Sequence, residues 1–283
     1  MINNALINPR SIVVVGASND VHKPGGKILK NLIDNAFKGQ LYVANPKQDE
    51  VQGVKSYRDL NELPQTDLAI LAVAAAHCPA AVELLAKQKG TRAFIIISAG
   101  FSEENEEGAK LEKQIVDIVN SVDGCLIGPN CTGILTPHHA SMFTLPIPEL
   151  THQGCDFISG SGATAVFIME SAILKGIQFS NVFAVGNSAQ TGVEDVLAYL
   201  DETFDPETSS RIKLLYVENI KDPDSLLEHA SSLIRKGCKI AAIKAGASEA
   251  GSRAASSHTG AIASSDLAVE ALFRKAGIVR CFG

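Results

Sequence analysis

One histidine, His258, lies among small residues in the segment Ala255–Ala263, with Gly246 and Gly251 shortly before it. Small neighbours leave room for a bulky reaction partner and for movement of the chain. An imidazole is largely neutral near pH 7, so it is one of the few side chains that can act as a nucleophile there. A loop histidine alone is more often a polar surface residue. Its interpretation therefore depends on the other motifs of the chain.

A glycine turn follows the first apolar run of the sequence. The run Val13–Val15 leads into Gly16-Ala17-Ser18, and Gly25-Gly26-Lys27 then begins a helical pattern. A strand, a glycine turn and a helix N-terminus can hold phosphate through backbone N–H groups and the helix dipole. Such glycines are equally common in plain tight turns, so the turn alone favours no function.

The same region argues against a nicotinamide cofactor. The fingerprint G-x-G-x-x-G is not met, and the second apolar run ends in Asn45-Pro46-Lys47 rather than in an acidic residue that would bind ribose hydroxyls. A lysine at this position suits an additional ribose phosphate, such as that of CoA. A nicotinamide-dependent oxidoreductase, which would bind NAD and not CoA, is therefore disfavoured by two features.

Composition indicates α/β domains with aliphatic cores. The chain has 283 residues, of which 46% are hydrophobic and 5% aromatic, with no Trp. Its cores must consist mainly of Val, Ile, Leu and Ala, as in parallel sheets flanked by helices. A net charge of −6 argues against a protein that coats nucleic acid. It does not exclude anionic ligands, because loop amides and local lysines can hold phosphate.

Cysteine usage predicts a reduced, cytoplasmic protein. The six cysteines form no CxxC pair, and most lie in or beside apolar runs, which is typical of buried thiols rather than of disulfides or a zinc site. His138 and His139 have no Cys or acidic partner at ligand spacing, so we expect no metal site. No basic leader and no apolar stretch of membrane-spanning length occurs in this sequence, so we expect no membrane partner.

Short apolar runs alternate with helical patterns, which predicts doubly wound parallel sheets. We place a first domain at residues 1–135, a Pro-rich connection at 136–154 and a second domain at 155–283. The candidate strands are Ser11–Val15, Gln40–Ala44, Leu68–Val73, Ala93–Ser98, Cys125–Ile127, Asp156–Ile158, Asn181–Val185, Lys213–Val217, Ile240–Lys244 and Ile278–Cys281. Because the sequence stops directly after the last of them, we expect a piece of a larger polypeptide or a subunit that needs a partner.

Eight short motifs, in this order, resemble one enzyme superfamily, the NDP-forming acyl-CoA synthetases, which include the α subunit of succinyl-CoA synthetase. The acetate–CoA ligase (ADP-forming) branch is the most similar. The motifs are Gly16-Ala17-Ser18, Val43–Lys47, Ile97–Phe101, Ile127–Gly133, Ser159–Ala163, Val185–Asn187, Tyr216–Glu218 and Ser257–Ala261. They span almost the whole chain, and Ile127–Gly133 and Ser257–Ala261 are the most specific.

The resemblance implies a Rossmann-like CoA-binding domain followed by a flavodoxin-like (succinyl-CoA synthetase-like) ligase domain, both with parallel sheets. It implies that His258 is the phosphorylated histidine, that Glu218 orients its ring, and that Ser161, Gly162 and Ala163 form the phosphate-holding helix start. The CoA-binding residues expected by resemblance are Gly16, Ala17, Ser18, Gly25, Gly26, Lys27, Asn45, Pro46, Lys47, Ser98, Ala99, Gly100 and Asn130.

These assignments agree with the residue types. Glu218 follows an apolar strand, where open parallel sheets build their sites. A carboxylate there can accept one ring N–H of a histidine and leave the other nitrogen free to attack phosphorus. Ser161 between two glycines at a strand-to-helix turn suits an anionic phosphoryl group. A solvated strand-end acid and a plain helix start are the corresponding structural interpretations.

By resemblance, the expected reaction converts acyl-CoA, ADP and phosphate reversibly to a carboxylic acid, CoA and ATP, with an acetate-like acid as substrate. The chain would be an acid–thiol ligase that uses CoA and phosphate. Nothing in it resembles the ATP-grasp domain that binds ADP or ATP with Mg in this family, and it has no P-loop. We therefore expect an ATP-grasp domain or β subunit as partner, an oligomer, and no nucleic-acid partner.

The main alternative is a non-catalytic CoA-binding sensor or regulatory module, as in relatives fused to protein acetyltransferases. Such relatives lack the active histidine, whereas His258 and Glu218 are both present here. This difference favours the enzyme. The identity of the acid, the choice of ADP or GDP and the metabolic direction have no signature in the sequence.

Overall fold

Two seven-stranded sheets form the framework of the protein. The structure, a computed structural model, describes residues 2–246 and 266–282. The strands of the first sheet are β1 (Ser11–Val15), β2 (Gln40–Ala44), β3 (Glu50–Val51), β4 (Val54–Tyr57), β5 (Leu68–Leu71), β6 (Ala93–Ile96) and β7 (Cys125–Ile127). Its helices are α1 (Asn4–Ile7), α2 (Pro24–Asp34), α3 (Cys78–Gln88) and α4 (Glu106–Asn120).

The first sheet has the order β3-β4-β2-β1-β5-β6-β7, and all neighbours are parallel except β3 and β4. The chain turns in opposite directions from β1, towards β2 on one side and towards β5 on the other, as in Rossmann folds. The central strands are buried along their whole length because helices cover both faces. Their continuous Val, Ile and Leu runs are the sequence signature of that burial.

The second sheet consists of β8 (Gly133–Thr136), β9 (His139–Met142), β10 (Leu150–Ser159), β11 (Phe179–Ala184), β12 (Ile212–Val217), β13 (Lys239–Lys244) and β14 (Val279–Cys281). Its helices within the described residues are α5 (Gly162–Leu174), α6 (Val193–Glu202), α7 (Pro223–Arg235) and α8 (Asp266–Ala276). The order is β14-β13-β12-β10-β11-β8-β9. Its parallel strands follow the flavodoxin-like order, so the expected fold class is confirmed.

The segment 136–154, which we expected to be a connection, contributes to the second sheet. β8 and β9 form an antiparallel hairpin, and β8 pairs with β11. The hydroxyl of Thr136 accepts hydrogen bonds from the backbone N–H groups of His138 and His139, at 3.2 and 3.3 Å, and so stabilises the turn. Short strands among Pro and His residues carry too little periodicity to be recognised.

The two sheets share a continuous apolar core, which includes Ile97 and Ile127 near the first sheet and Ile134 and Ile158 in the second. A buried amide adds a polar connection, because Asn31 of α2 donates to the backbone carbonyls of Met142 and Thr144 at 2.6 and 3.0 Å. The relative placement of the domains is therefore fixed by packing and by hydrogen bonds.

Five of the six cysteines are buried as predicted, whereas Cys281 is exposed. Burial raises the pKa of Cys131 to about 12, so this thiol is a packed group and not a nucleophile at neutral pH. No helix in the described part of the chain is both long and apolar enough to cross a bilayer.

His139 is a buried structural histidine that joins β9 to the N-terminal helix. Its Nε2 lies 2.8 Å from the carbonyl of Leu6 and its Nδ1 lies 2.7 Å from the hydroxyl of Ser141. A neutral ring that donates to Leu6 and accepts from Ser141 satisfies both contacts. Burial lowers the pKa of His139 to about 4.

We expect His139 to make the protein acid-labile. The unfolded chain binds the proton below about pH 6.5 and the folded chain only below about pH 4, so the unfolding free energy falls as the pH drops through this window. The loss due to His139 alone is about 3 kcal/mol between pH 7 and pH 4. Urea unfolding of the wild type and of His139→Gln at both pH values measures it.

The exposed neighbour His138 provides the matched control. His138→Gln should retain the pH dependence of the wild type, whereas His139→Gln should lose most of this component. An equal pH dependence in wild type and His139→Gln would contradict the assignment.

Candidate active site

The turns that follow β7 and β11, at the carboxyl ends of these two strands, contact each other at the boundary between the domains. In open parallel sheets, ligands bind outside these ends where the chain direction reverses. The first reversal lies between β1 and β5 and the second between β10 and β12. The described residues that we singled out in the sequence lie after β1, β2, β6, β7, β10 and β12.

The first crevice is a cavity of about 620 Å³ beside the β1 turn. Gly16 has a φ of +85°, and a Cβ there would lie 2.5 Å from the carbonyl of Ala72, so the turn requires glycine. The cavity is lined by Val15, Gly16, Ala44, Asn45, Pro46, Arg58, Asp59, Leu60, Val73, His77, Ala80, Ala81 and Leu84. Backbone at Gly16 and Asn45 can thus approach a ligand closely, which suits the nucleotide end of CoA.

Asn45 connects the ends of β1 and β2. Its Nδ2 donates to the carbonyl of Ala17 at 2.8 Å, and its Oδ1 accepts from the backbone N–H of Lys47 at 2.9 Å. Its side chain therefore shapes the crevice, and the exposed Lys47 lies at the rim. Gln52, which sequence reasoning missed, donates to the carbonyls of Ser18 and Gly26 at 2.7 and 2.9 Å and stabilises the same turn.

Gly25 and Gly26 are buried where α2 approaches the turn. A Cβ on Gly25 would lie 2.2 Å from the carbonyl of Gly16, and one on Gly26 would lie 2.0 Å from the carbonyl of Asp20. These glycines thus permit the close packing of helix against turn. Lys27 follows them and is half-buried. That this helix start contacts CoA stays a prediction.

The second crevice contains the turn between β10 and α5. Gly160 donates its N–H to the carbonyl of Tyr216 at 2.9 Å, and a Cβ on Gly160 would lie 3.6 Å from the Cβ of Glu218. Ser161 caps α5, since its hydroxyl accepts from the N–H of Thr164 at 3.4 Å. The predicted phosphate-holding residues and Glu218 therefore adjoin one another at the reversal point.

A turn from the first domain reaches across to this crevice. The carbonyls of Gly128 and Pro129 accept hydrogen bonds from the N–H groups of Ala189 and Asn187, at 3.1 and 3.0 Å. A Cβ on Gly186 would lie 2.4 Å from the carbonyl of Pro129, so the two backbones are in direct contact. The turn after β7 is thereby joined to the turn after β11.

A cavity of about 480 Å³ lies between the two turns and α5. It is lined by Ile97, Asn130, Cys131, Thr132, Phe143, Gly160, Ser161, Gly162, Ala163, Val166, Gly186, Asn187 and Glu218. Asn130 from the first domain and Ser161, Gly162, Ala163 and Glu218 from the second thus share one cavity. The lining combines apolar walls with amide, hydroxyl and carboxylate groups, as small-molecule sites do.

Asn187 is a site residue to which sequence reasoning gave no role. Its Nδ2 donates to carboxylate oxygens of Glu103 and Glu112, at 2.5 and 3.0 Å, and its Oδ1 accepts from Nδ2 of Asn130 at 3.3 Å. The motif Val185–Asn187 contained the signal, but the acidic partners are distant in sequence. Asn187 links both domains at the mouth of the cavity.

Glu103 is held by the loop that contains the predicted residues Ser98, Ala99 and Gly100. Its Oε1 accepts from the backbone N–H groups of Gly100 and Phe101, at 2.7 and 3.2 Å. Burial acts to raise the pKa of Glu103, but the hydrogen bonds from Asn187 and from these N–H groups outweigh it and lower the pKa.

Ser98 connects this loop to the neighbouring strand ends. Its hydroxyl donates to the carbonyl of Val73, and its carbonyl accepts from the N–H of Asn130 at 2.9 Å. Ser98 thus lies between the first crevice, which Val73 lines, and the cavity, which Asn130 lines.

His258 lies outside the described residues. Within residues 2–246 and 266–282, no group of His, Cys, Asp and Glu side chains could hold a metal ion.

Two family profiles match most of the chain. The family described as CoA binding domain matches residues 10–137, and the family described as succinyl-CoA ligase like flavodoxin domain matches residues 152–282. These two matches cover the two sheets in sequence order.

Several curated relatives are similar over nearly the full chain. Acetate–CoA ligase [ADP-forming] II subunit alpha of Pyrococcus furiosus is 39% identical, over 96% of this chain and 58% of the relative. 4-Hydroxybutyrate–CoA ligase [ADP-forming] of Nitrosopumilus maritimus is 32% identical, over 99% of this chain and 40% of the relative. The chain thus spans about 40–60% of the length of these relatives.

A solved structure shows the same architecture. The dinucleotide forming acetyl-coenzyme A synthetase 1 of Ca. Korarchaeum cryptofilum, in complex with phosphate and ADP, superposes with a TM-score of 0.88 at 32% identity. The match covers 99% of this chain and 59% of that one. With both domain families present in sequence order, the chain belongs to the NDP-forming acyl-CoA synthetase superfamily.

Proposed function

We propose that this protein is the CoA-binding and phosphohistidine-carrying part of an NDP-forming acyl-CoA synthetase, which converts acyl-CoA, ADP and phosphate reversibly to a carboxylic acid, CoA and ATP. The main support for this function is the arrangement of residues in the cavity between the domains. Glu218 and the turn Ser161-Gly162-Ala163 adjoin at the reversal point of the second sheet, and Asn130 of the CoA-binding domain lines the same cavity.

In this proposal, CoA extends from the first crevice to the cavity between the domains. Its nucleotide end lies against Gly16 and Asn45, where the backbone is open to close approach, and Lys47 at the rim pairs with the ribose phosphate. Ser98 and Asn130 are joined by a backbone hydrogen bond of 2.9 Å and lie along the way. The thioester then reaches the cavity, where the side-chain amide of Asn130 can donate its second N–H to the thioester carbonyl.

In the proposed function, phosphate binds at the start of α5. The N–H groups of the first helical turn and the helix dipole favour an anion there, and Gly162 removes side-chain bulk from the approach. A phosphate oxygen attacks the thioester carbonyl and the CoA thiolate leaves, which gives an acyl phosphate. The protein's contribution is to hold both reactants in line and to stabilise the developing oxyanion.

His258 then accepts the phosphoryl group. A ring nitrogen attacks phosphorus and the carboxylic acid leaves as its anion, while Glu218 accepts the N–H of the other ring nitrogen and stabilises the cationic ring. The position of Glu218 beside Ser161 and Gly160 supports this role, since the glutamate and the phosphate site must serve the same ring.

We further propose that an ATP-grasp domain or β subunit supplies the nucleotide site, with ADP or ATP bound as the Mg complex. Relatives of greater length, among them a subunit named alpha, support a further part. The helix α5 agrees with it, because Phe167 and Leu174 are 69% and 89% exposed on one apolar face. We also propose a cytoplasmic location, which the free and mostly buried thiols support.

The alternative, a non-catalytic CoA sensor, gains no support from the named relatives, which are ligases. It would require the cavity between the domains to bind CoA without phosphoryl transfer. Phosphorylation of the protein by acyl-CoA and phosphate separates the two functions.

We expect the protein to form an acid-labile phosphoryl adduct on His258 when it is incubated with acyl-CoA and phosphate, or with acetyl phosphate. His258→Asn should abolish the adduct, and Glu218→Gln should slow its formation about 100-fold because the ring loses the negative charge that stabilises its cationic form. Intact-mass analysis before and after acid treatment measures both effects.

The control is Glu202→Gln, an exposed carboxylate at the end of α6, which should leave the rate unchanged. If CoA binds but the protein forms no adduct, even with an ATP-grasp partner present, the ligase function is wrong and the sensor is favoured.

We expect Lys47 to recognise the ribose phosphate of CoA. Lys47→Met should weaken CoA binding about fivefold, because an exposed charge pair contributes about 1 kcal/mol, and should leave 3′-dephospho-CoA binding unchanged. Calorimetric titration with both ligands measures the difference. Lys87→Met, an exposed lysine of α3, is the control; an equal loss for both ligands in Lys47→Met would contradict the assignment.

A further inference from the structure

Two carboxylates of the first domain converge on one side-chain amide of the second domain, beside the cavity between the domains. Nδ2 of Asn187 donates to Oε2 of Glu103 at 2.5 Å and to Oε2 of Glu112 at 3.0 Å. The hydroxyl of Ser102 donates to the same oxygen of Glu112 at 2.8 Å. All four side chains are half-buried, and hydrogen bonds that are partly shielded from water are electrostatically stronger than exposed ones.

The two glutamates determine which way the Asn187 amide points. An ionised carboxylate accepts hydrogen bonds and donates none, so only the nitrogen of the amide can satisfy Glu103 and Glu112. The reverse orientation would place the amide oxygen against two negative charges. Oδ1 of Asn187 is therefore turned the other way, towards Asn130 of the first domain, whose Nδ2 donates to it at 3.3 Å.

The backbone around Asn130 is fixed on both sides of this contact. The N–H of Asn130 donates to the carbonyl of Ser98 at 2.9 Å, and the N–H of Asn187 donates to the carbonyl of Pro129 at 3.0 Å. The orientation of the Asn130 amide is the remaining freedom, and the oxygen of Asn187 selects the orientation in which Nδ2 faces it. One N–H of that nitrogen is used on Asn187, so the second is left for a ligand in the cavity that Asn130 lines.

We propose that Asn187 is a positioning residue for Asn130: Glu103 and Glu112 set the direction of the Asn187 amide, and Asn187 holds Asn130 so that it presents an N–H to the thioester carbonyl. This inference rests on the proposed function, in which Asn130 donates to that carbonyl. A donor whose direction is set before the reaction stabilises the developing oxyanion without reorganisation. Asn187 acts through Asn130 and needs no contact with substrate.

The test compares two routes to the phosphoryl adduct. With acetyl-CoA and phosphate, negative charge develops on the thioester carbonyl oxygen, whereas with acetyl phosphate the histidine attacks phosphorus and this charge does not form. We therefore expect Asn187→Ala to slow adduct formation from acetyl-CoA and phosphate about tenfold, and to leave the rate from acetyl phosphate within about twofold of the wild type. Time courses of intact mass measure both rates.

A double-mutant cycle shows whether Asn187 acts through Asn130. Asn130→Ala should slow the acetyl-CoA route about 100-fold, and Asn130→Ala/Asn187→Ala should be no slower, because the positioned group is already absent. The control is Glu107→Gln, an exposed glutamate on the same helix as Glu112, which should match the wild type in both routes. If Asn187→Ala does not fold, Glu112→Gln replaces it, with an expected loss of about threefold in the acetyl-CoA route alone.

Nitrogen-15 NMR observes the positioning without turnover. The side-chain amide signal of Asn130 is assigned by its absence in Asn130→Ala. We expect the exchange of its N–H protons with water to be about tenfold faster in Asn187→Ala than in the wild type, because the hydrogen bond that holds the amide is lost. Glu107→Gln should leave this exchange rate unchanged.

A purely structural role for Asn187 would slow both routes alike and would add its loss to that of Asn130→Ala, and either result would overturn the inference. If the Asn130 signal responds to Asn187→Ala but the wild type forms no adduct by either route, Asn187 still positions Asn130 and the proposed function is wrong. If the wild type is phosphorylated by both routes and Asn187→Ala slows neither, the proposed function survives and the inference fails.

Discussion

Two backbone hydrogen bonds, from Asn187 to Pro129 and from Ala189 to Gly128, join the carboxyl edges of the two sheets. These hydrogen bonds need no particular side chain. They do require the two backbone segments to approach closely, which the absence of a Cβ at Gly186 permits. Without this contact, the turn after β7 and the turn after β11 would be independent loops. With it, the residues of both domains line one cavity.

Packing and polar contacts away from the edges reinforce this arrangement. The apolar core is continuous between the sheets, and Asn31 of α2 is hydrogen-bonded to two carbonyls beyond β9. A buried amide with both contacts satisfied is costly to displace, so it specifies one relative position. The proposed reaction, in which thioester, phosphate and histidine must meet, depends on such a fixed geometry.

The sequence predicted the features that arise from local chain geometry. The turn at Gly16 and the helix cap at Ser161 follow from strand–turn–helix patterns, and Glu218 follows from its place after an apolar strand. The hairpin of β8 and β9 was missed because its strands are short and rich in His and Pro. Asn187 was missed because its partners Glu103 and Glu112 come from distant segments, and no local pattern encodes such meetings. The role of His258 stays a prediction, since it lies outside the described residues.

In the proposed function the two crevices form one path, with CoA entering at β1 and phosphate bound at α5. A crystal structure with desulfo-CoA and phosphate would show this path. We expect the nucleotide end beside Gly16 and Asn45, the pantetheine end in the cavity beside Asn130, and phosphate on the backbone N–H groups of Gly162 and Ala163. Phosphate bound elsewhere, or a pantetheine chain that leaves the domain boundary, would contradict it.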